Sequence, residues 1–83
     1  MKIWIRTLWK DKLFLCDNFW IFEYQNKKCD IVTLICDERI TLGTYKDKAR
    51  ALEVLDMIEN HMIKYDSIPF QMPQDWDVIK CMI

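Results

Sequence analysis

The residues of this chain best suited to hold an anion are three arginines and one histidine: Arg6, Arg39, Arg50 and His61. A guanidinium meets a phosphate or carboxylate through paired N–H donors. Flat apolar faces are plentiful as well. Trp4, Trp9, Trp20 and Trp76, with Phe14, Phe22, Tyr24 and Tyr45, exceed what one small core needs, and an aromatic ring can stack on a planar ligand. Core and subunit interface account for most of them, which leaves one or two to line a pocket. Arg50 falls in the first turn of a predicted helix, where a cation opposes the helix dipole. Its position there calls for a partner, either a nearby carboxylate or a ligand phosphate.

Catalytic constellations are missing from the pattern. The one serine, Ser67, and the one histidine fit no nucleophile elbow. A phosphate-cradling loop needs several glycines, and Gly43 stands alone. A cysteine nucleophile needs a base and an orienting group, and His61 has no visible orienting partner. The neighbouring carboxylates Asp37-Glu38 and Asp75/Asp77 belong to a turn and a tail. The expectation is a protein that is not an enzyme and has no cofactor.

Cys16, Cys29, Cys36 and Cys81 form no C-x-x-C pair. With no close ligand pairs and one histidine, a zinc site is the weaker alternative. No secretory signal precedes them, because Arg6 interrupts the N-terminal apolar run, so they are expected to be reduced core residues. No apolar run approaches the roughly 20 residues of a membrane span. A net charge of -1, from 12 basic and 13 acidic residues, supplies no global field for DNA or RNA. The expectation is a cytoplasmic protein with neither membrane nor nucleic acid as partner. An 83-residue chain is one domain with thin stability, and its hydrophobic content of 52% points to a second copy as cover for the helix, the alternative being the C-terminal tail folded back over it.

These side chains must be carried by a sheet and a helix. Residues 2–8 alternate as a strand, with Ile3 and Ile5 on one face and Trp4 and Arg6 on the other. Further strands are expected at 13–16, 19–24, 30–36 and 39–45. Connections of two to four residues join antiparallel neighbours, so the reading is an α+β domain with an antiparallel meander of about five strands over 1–45. Gly43 inside a strand marks a bulge or a close approach, here ascribed to the helix packing on the sheet. A helix follows over 47–65, capped by Asp47. Its apolar stripe is Ala51, Leu55, Ile58, Met62 and Tyr65. Residues 67–83 form an extended tail, since Pro69 and Pro73 exclude helix there; residues 75–83 are apolar enough to add a strand.

Three places in the chain carry a family resemblance. Ile3-Trp-Ile-Arg6 resembles a short opening strand that ends in arginine. Leu42-Gly-Thr-Tyr45 followed by Arg50-Ala-Leu-Glu-Val-Leu-Asp56 and Ile58 matches a "LGxY…RALEVLD.I" pattern. Phe70-Gln-Met-Pro73 matches an aromatic-Gln-Met-Pro close. Together they resemble small phage- and prophage-encoded proteins of Gram-positive bacteria. The chain departs from that set at Thr7-Leu-Trp-Lys10, where a small polar turn is usual, and beyond Pro73. The layout is similar to that of the Thoeris anti-defence sponge family, whose members assemble as oligomers and sequester cyclic nucleotide immune signals without cleaving them.

What the resemblance implies is a phage-type inhibitor of bacterial antiphage defence that forms a homo-oligomer and holds a nucleotide at a subunit boundary. The candidate ligand-binding residues are Trp4, Arg6, Tyr45, Arg50, His61 and Met72, with Arg6 or Arg50 meeting phosphate. The alternative is an inhibitor or adaptor that binds a host protein through an aromatic sheet face.

Overall fold

A computed structural model describes residues 2–65 and 67–74. Six strands and one helix follow in order: β1 (Ile3–Arg6), β2 (Leu13–Cys16), β3 (Trp20–Glu23), β4 (Cys29–Ile35), β5 (Glu38–Tyr45), α1 (Lys48–Lys64) and β6 (Phe70–Gln71). The class is α+β. The expected single meander is corrected to two three-stranded sheets, one ordered β2-β1-β6 and the other β3-β4-β5.

The break falls at residues 17–19, a short connection that turns a corner instead of reversing the chain. Asn18 sits where the β3–β4 register, which pairs Trp20 with Val32, would bring Leu34 opposite it. Its side-chain amide does the work of a backbone unit there. Nδ2 donates to the Leu34 carbonyl at 3.2 Å, and the Leu34 N–H donates to Oδ1 at 2.9 Å. The Thr33 hydroxyl donates to the Asn18 carbonyl at 2.7 Å. The chain therefore enters the second sheet at Asn18, and β2 pairs with β1 alone.

β1 takes its second neighbour from the tail. β6 lies parallel to it with Phe70 opposite Ile5, and the Met72 N–H donates to the Arg6 carbonyl at 3.0 Å. Parallel pairing needs a long crossover, and the whole span from β2 through α1 supplies it. The helix thus occupies the second half of the chain without being its last element. The tail is described over 67–74, and the added strand expected at 75–83 lies outside the described residues.

Alternation in β1 is as expected: Ile3 and Ile5 are buried, while Trp4 and Arg6 are exposed. α1 packs on β3, β4 and β5, and the core joins Ile3, Ile5, Ile31, Leu42, Tyr45, Ala51, Val54, Ile58, Phe70 and Met72 across both sheets. Asp47 caps the helix, its Oδ1 accepting from the Arg50 N–H at 2.9 Å. The buried stripe is rotated from the expected one. Val54 is buried with Ala51 and Ile58, Leu55 and Met62 are half-buried, and Tyr65 is exposed.

Gly43 does mark a bulge, since the register shifts between Ile31, opposite Gly43, and Val32, opposite Thr41. The close approach comes from a side chain of the same strand, not from the helix. A Cβ at Gly43 would stand 2.9 Å from the Tyr45 hydroxyl oxygen and 3.1 Å from Cε2 of its ring. The β4–β5 reversal uses Cys36 and Asp37, both at positive φ (52° and 66°), as a two-residue turn of primed type requires. Cys36 is therefore an exposed turn residue, which corrects the expectation of a core cysteine. Cys16 and Cys29 are buried and free, and Cys81 lies outside the described residues.

Candidate ligand-binding cleft

The structure spreads the six sequence-derived candidates over different surroundings. Met72 and Tyr45 are core residues, each 1% exposed. The Tyr45 hydroxyl donates to the Pro73 carbonyl at 2.8 Å. Arg50 lies beside it, with its guanidinium carbon 6.0 Å from the ring centroid. Nη2 of Arg50 donates to the Gln74 carbonyl at 2.9 Å, and Nη1 pairs with Glu53 at 3.3 Å. Gln74 closes the knot by donating from Nε2 to the Leu8 carbonyl at 3.3 Å. The partner that the helix dipole calls for at Arg50 is thus a carboxylate and a backbone carbonyl. This group fastens the tail across the start of α1.

His61 acts near the far end of the helix. Its Nε2 lies in hydrogen-bond contact with the Ile68 carbonyl, which fixes the tautomer with the proton on Nε2, because a carbonyl can only accept. Its ring meets Phe70 edge-on at 5.2 Å and Tyr65 at 5.6 Å. It pins the start of the tail to the helix. Trp4 and Arg6 stand on the outer face of β1, opposite Leu15 and Leu13 of β2.

A cleft of about 260 Å³ opens elsewhere, between the β1–β2 turn and the start of β5. Trp9, Lys12, Arg39 and Phe14 line it with Thr7 and Thr41. Trp9 is 55% exposed, and an indole can stack on a planar ligand. Arg39 is anchored from behind, its guanidinium 4.8 Å above the Phe22 ring. Asp11, also at the rim, accepts from the Thr7 hydroxyl at 3.0 Å, which ties that carboxylate into the turn. Lys10 takes a left-handed conformation at φ 67°, and Nη1 of Arg6 donates to its carbonyl at 3.2 Å. Arg6 therefore braces the turn that carries Trp9. Of the six candidates, it is the one tied to the cleft, and it acts through the backbone.

Sequence reading counted Trp9 among the aromatics and Arg39 among the residues suited to hold an anion, and gave neither a place in the candidate site. One signal was available. The departure from the phage-protein pattern at Thr7-Leu-Trp-Lys10 puts a tryptophan in a polar turn, and that turn is one wall of the cleft.

Titration elsewhere follows burial. Burial raises the Cys16 thiol above its ordinary value, a hydrogen bond with Thr33 opposing it; burial also raises Cys29, with Glu23 adding to it. Tyr24 is raised chiefly by its hydrogen bond to Asp30, at 2.7 Å. The buried Asp30 carboxylate also accepts from the Thr44 hydroxyl at 2.7 Å, so this pair of hydroxyls holds it within the sheet.

The cleft joins a stacking surface, hydroxyls and two cations set against the one Asp11 carboxylate, which the Thr7 hydroxyl already holds. That is equipment for holding a flat anionic molecule, and no His or Cys lines it. Among the described residues no group of three His, Cys, Asp or Glu is placed to hold a metal ion, and no helix is long and apolar enough to cross a membrane. No protein family, curated protein or solved structure matches this chain.

Proposed function

We propose that this protein acts by binding and not by catalysis, as a phage-type inhibitor of bacterial defence that sequesters a cyclic nucleotide immune signal inside the host cell. The observation that carries the reading is the meeting of Trp9, Lys12 and Arg39 in one cleft. A base would stack on the indole, and its phosphate would lie between the ammonium and the guanidinium. Affinity suffices for sequestration, and the cleft offers affinity without a nucleophile.

Size supports a subunit boundary. Sites that engulf a drug-sized ligand run from about 300 to 1,000 Å³, so a cleft of about 260 Å³ suits one nucleotide unit. A cyclic dinucleotide would draw on a second copy. The outer face of the β1–β2 hairpin offers a surface for one. Trp4, Leu13 and Leu15 are 43%, 43% and 41% exposed, and they adjoin one another through the strand register. The same face favours the second reading, in which a host protein sits there and the protein is an inhibitor or adaptor.

Calorimetric titration of cyclic dinucleotides, cyclic trinucleotides and cyclic ADP-ribose isomers tests the assignment. One class should bind the parent and lose roughly tenfold or more in affinity, about 1.4 kcal/mol, on Trp9→Ala and on Arg39→Ala. Unchanged binding by both variants would remove the cleft from the account. Sedimentation of an apo monomer at micromolar concentration, with one host protein captured stoichiometrically, would favour the second reading.

A further inference from the structure

A second concave surface shares no lining residue with the nucleotide cleft. It is a groove of about 550 Å³ along α1, floored by Leu55, Ile58 and Met62, closed on one side by Phe19 and edged by Ile63. Asp56 and Glu59 stand on its rim. Ile63 is 71% exposed, and both carboxylates are exposed. The ion pair of the described residues joins Arg50 to Glu53, one turn earlier, so among the described residues no cation pairs with either rim carboxylate.

We infer that this groove docks a cationic amphipathic helix of another protein, with apolar residues along the floor and Lys or Arg meeting Asp56 and Glu59. Charge decides the occupant. A second copy of α1 lying antiparallel in the groove, with its contact centred near residues 56–59, would set Asp56 of each copy against Glu59 of the other, like charge against like. Residues 75–83 of the chain carry Asp75 and Asp77 against Lys80, the wrong balance for an acidic rim. A basic helix meets both demands at once, since its apolar face fills the groove and its charges are matched. The spacing of Leu55, Ile58 and Met62 is the spacing such a partner reads, with anchors one turn apart.

The test uses a fluorescent four-turn amphipathic helix of leucine and lysine, with a leucine and glutamate helix of the same pattern as control, titrated by anisotropy against the full chain. The parent should bind the lysine peptide, and the glutamate peptide should not bind. The double variant Asp56→Lys/Glu59→Lys and the single variant Ile63→Asp should each weaken binding by roughly tenfold or more. All three positions are exposed, so circular dichroism and melting temperature should stay at the parent's values. No binding by the parent, or equal binding by the double variant, would overturn the inference. So would a parent dimer that Ile63→Asp dissolves, or nuclear Overhauser contacts between Ile63 and Trp76 of the same chain. Cyclic nucleotides that occupy the Trp9 cleft should leave the peptide affinity unchanged, so failure of one site is separable from failure of the other.

Discussion

Gly43 concentrates several dependences in one absent methyl group. A Cβ here would stand 2.9 Å from the Tyr45 hydroxyl oxygen and 3.1 Å from its ring, and that hydroxyl carries the bond to Pro73. Gly43→Ala should displace the ring, lengthen that bond and cost about 1–3 kcal/mol, read as a lower urea midpoint. A variant as stable as the parent would show that the ring has somewhere else to go. The thiols make a second prediction at this scale. Burial raises both Cys16 and Cys29 above 9.0, so the folded chain keeps protons that the unfolded chain has released. Stability is then full below pH 9 and falls as pH rises through the raised values, because the native state binds more protons. Tyr24, raised above 10.0 by Asp30, acts in the same direction, though its exposure makes its share small. Urea midpoints at pH 8 and pH 10.5 should differ in that sense; a flat profile would contradict the burial of both thiols.

Local elements were legible where one period dominated. The alternation of Ile3, Trp4, Ile5 and Arg6, the cap at Asp47 and the glycine- and proline-free run after it all reappear in the structure. What the pattern could not show was which strands would pair. The three residues between β2 and β3 have the length of a hairpin loop, and nothing in their types separates a reversal from a corner. The difference lies in Asn18, whose amide replaces a backbone unit opposite Leu34. Asn18→Ala should leave those two backbone groups to water and cost about 1–2 kcal/mol. Asn18→Asp keeps the acceptor for the Leu34 N–H but turns a carboxylate oxygen on the Leu34 carbonyl and the Asp17 carboxylate, so it should cost at least as much as alanine. If the alanine variant unfolds at the parent's urea midpoint, the corner is held by something else. Likewise, the rotation of the helix stripe towards Val54 could not be read from spacing, because α1 is apolar on more than one side and the sheets decide which side is covered.

Across the whole molecule, the candidate site shows what linear reading misses. Thr7, Trp9, Asp11, Lys12 and Phe14 line the cleft with residues 39–41, and the β1–β2 turn is tied to β5 by the Leu8 N–H, which donates to the Leu42 carbonyl at 2.8 Å. Arg50 looked like a ligand residue because a cation in the first helical turn calls for an anionic partner, and His61 joined the candidates as the one imidazole. Folding uses them to fasten the tail, and Met72 and Tyr45 to build the core. The surplus apolar surface was foreseen and is present: Trp4, Leu13, Leu15 and Ile63 are all exposed. A chain this small gains stability from partners, and a ligand adds to it by mass action. The measurement closest to the central claim is a thermal-shift panel of cyclic nucleotides on the purified protein, with each compound analysed afterwards by chromatography. A ligand at 100 times its dissociation constant adds about 2.7 kcal/mol, which raises the melting temperature of a domain this size by more than about 10 °C. The account predicts such a rise for one class, lost in Trp9→Ala, with the compound recovered intact. A flat panel, or recovery of a cleaved product, would contradict it.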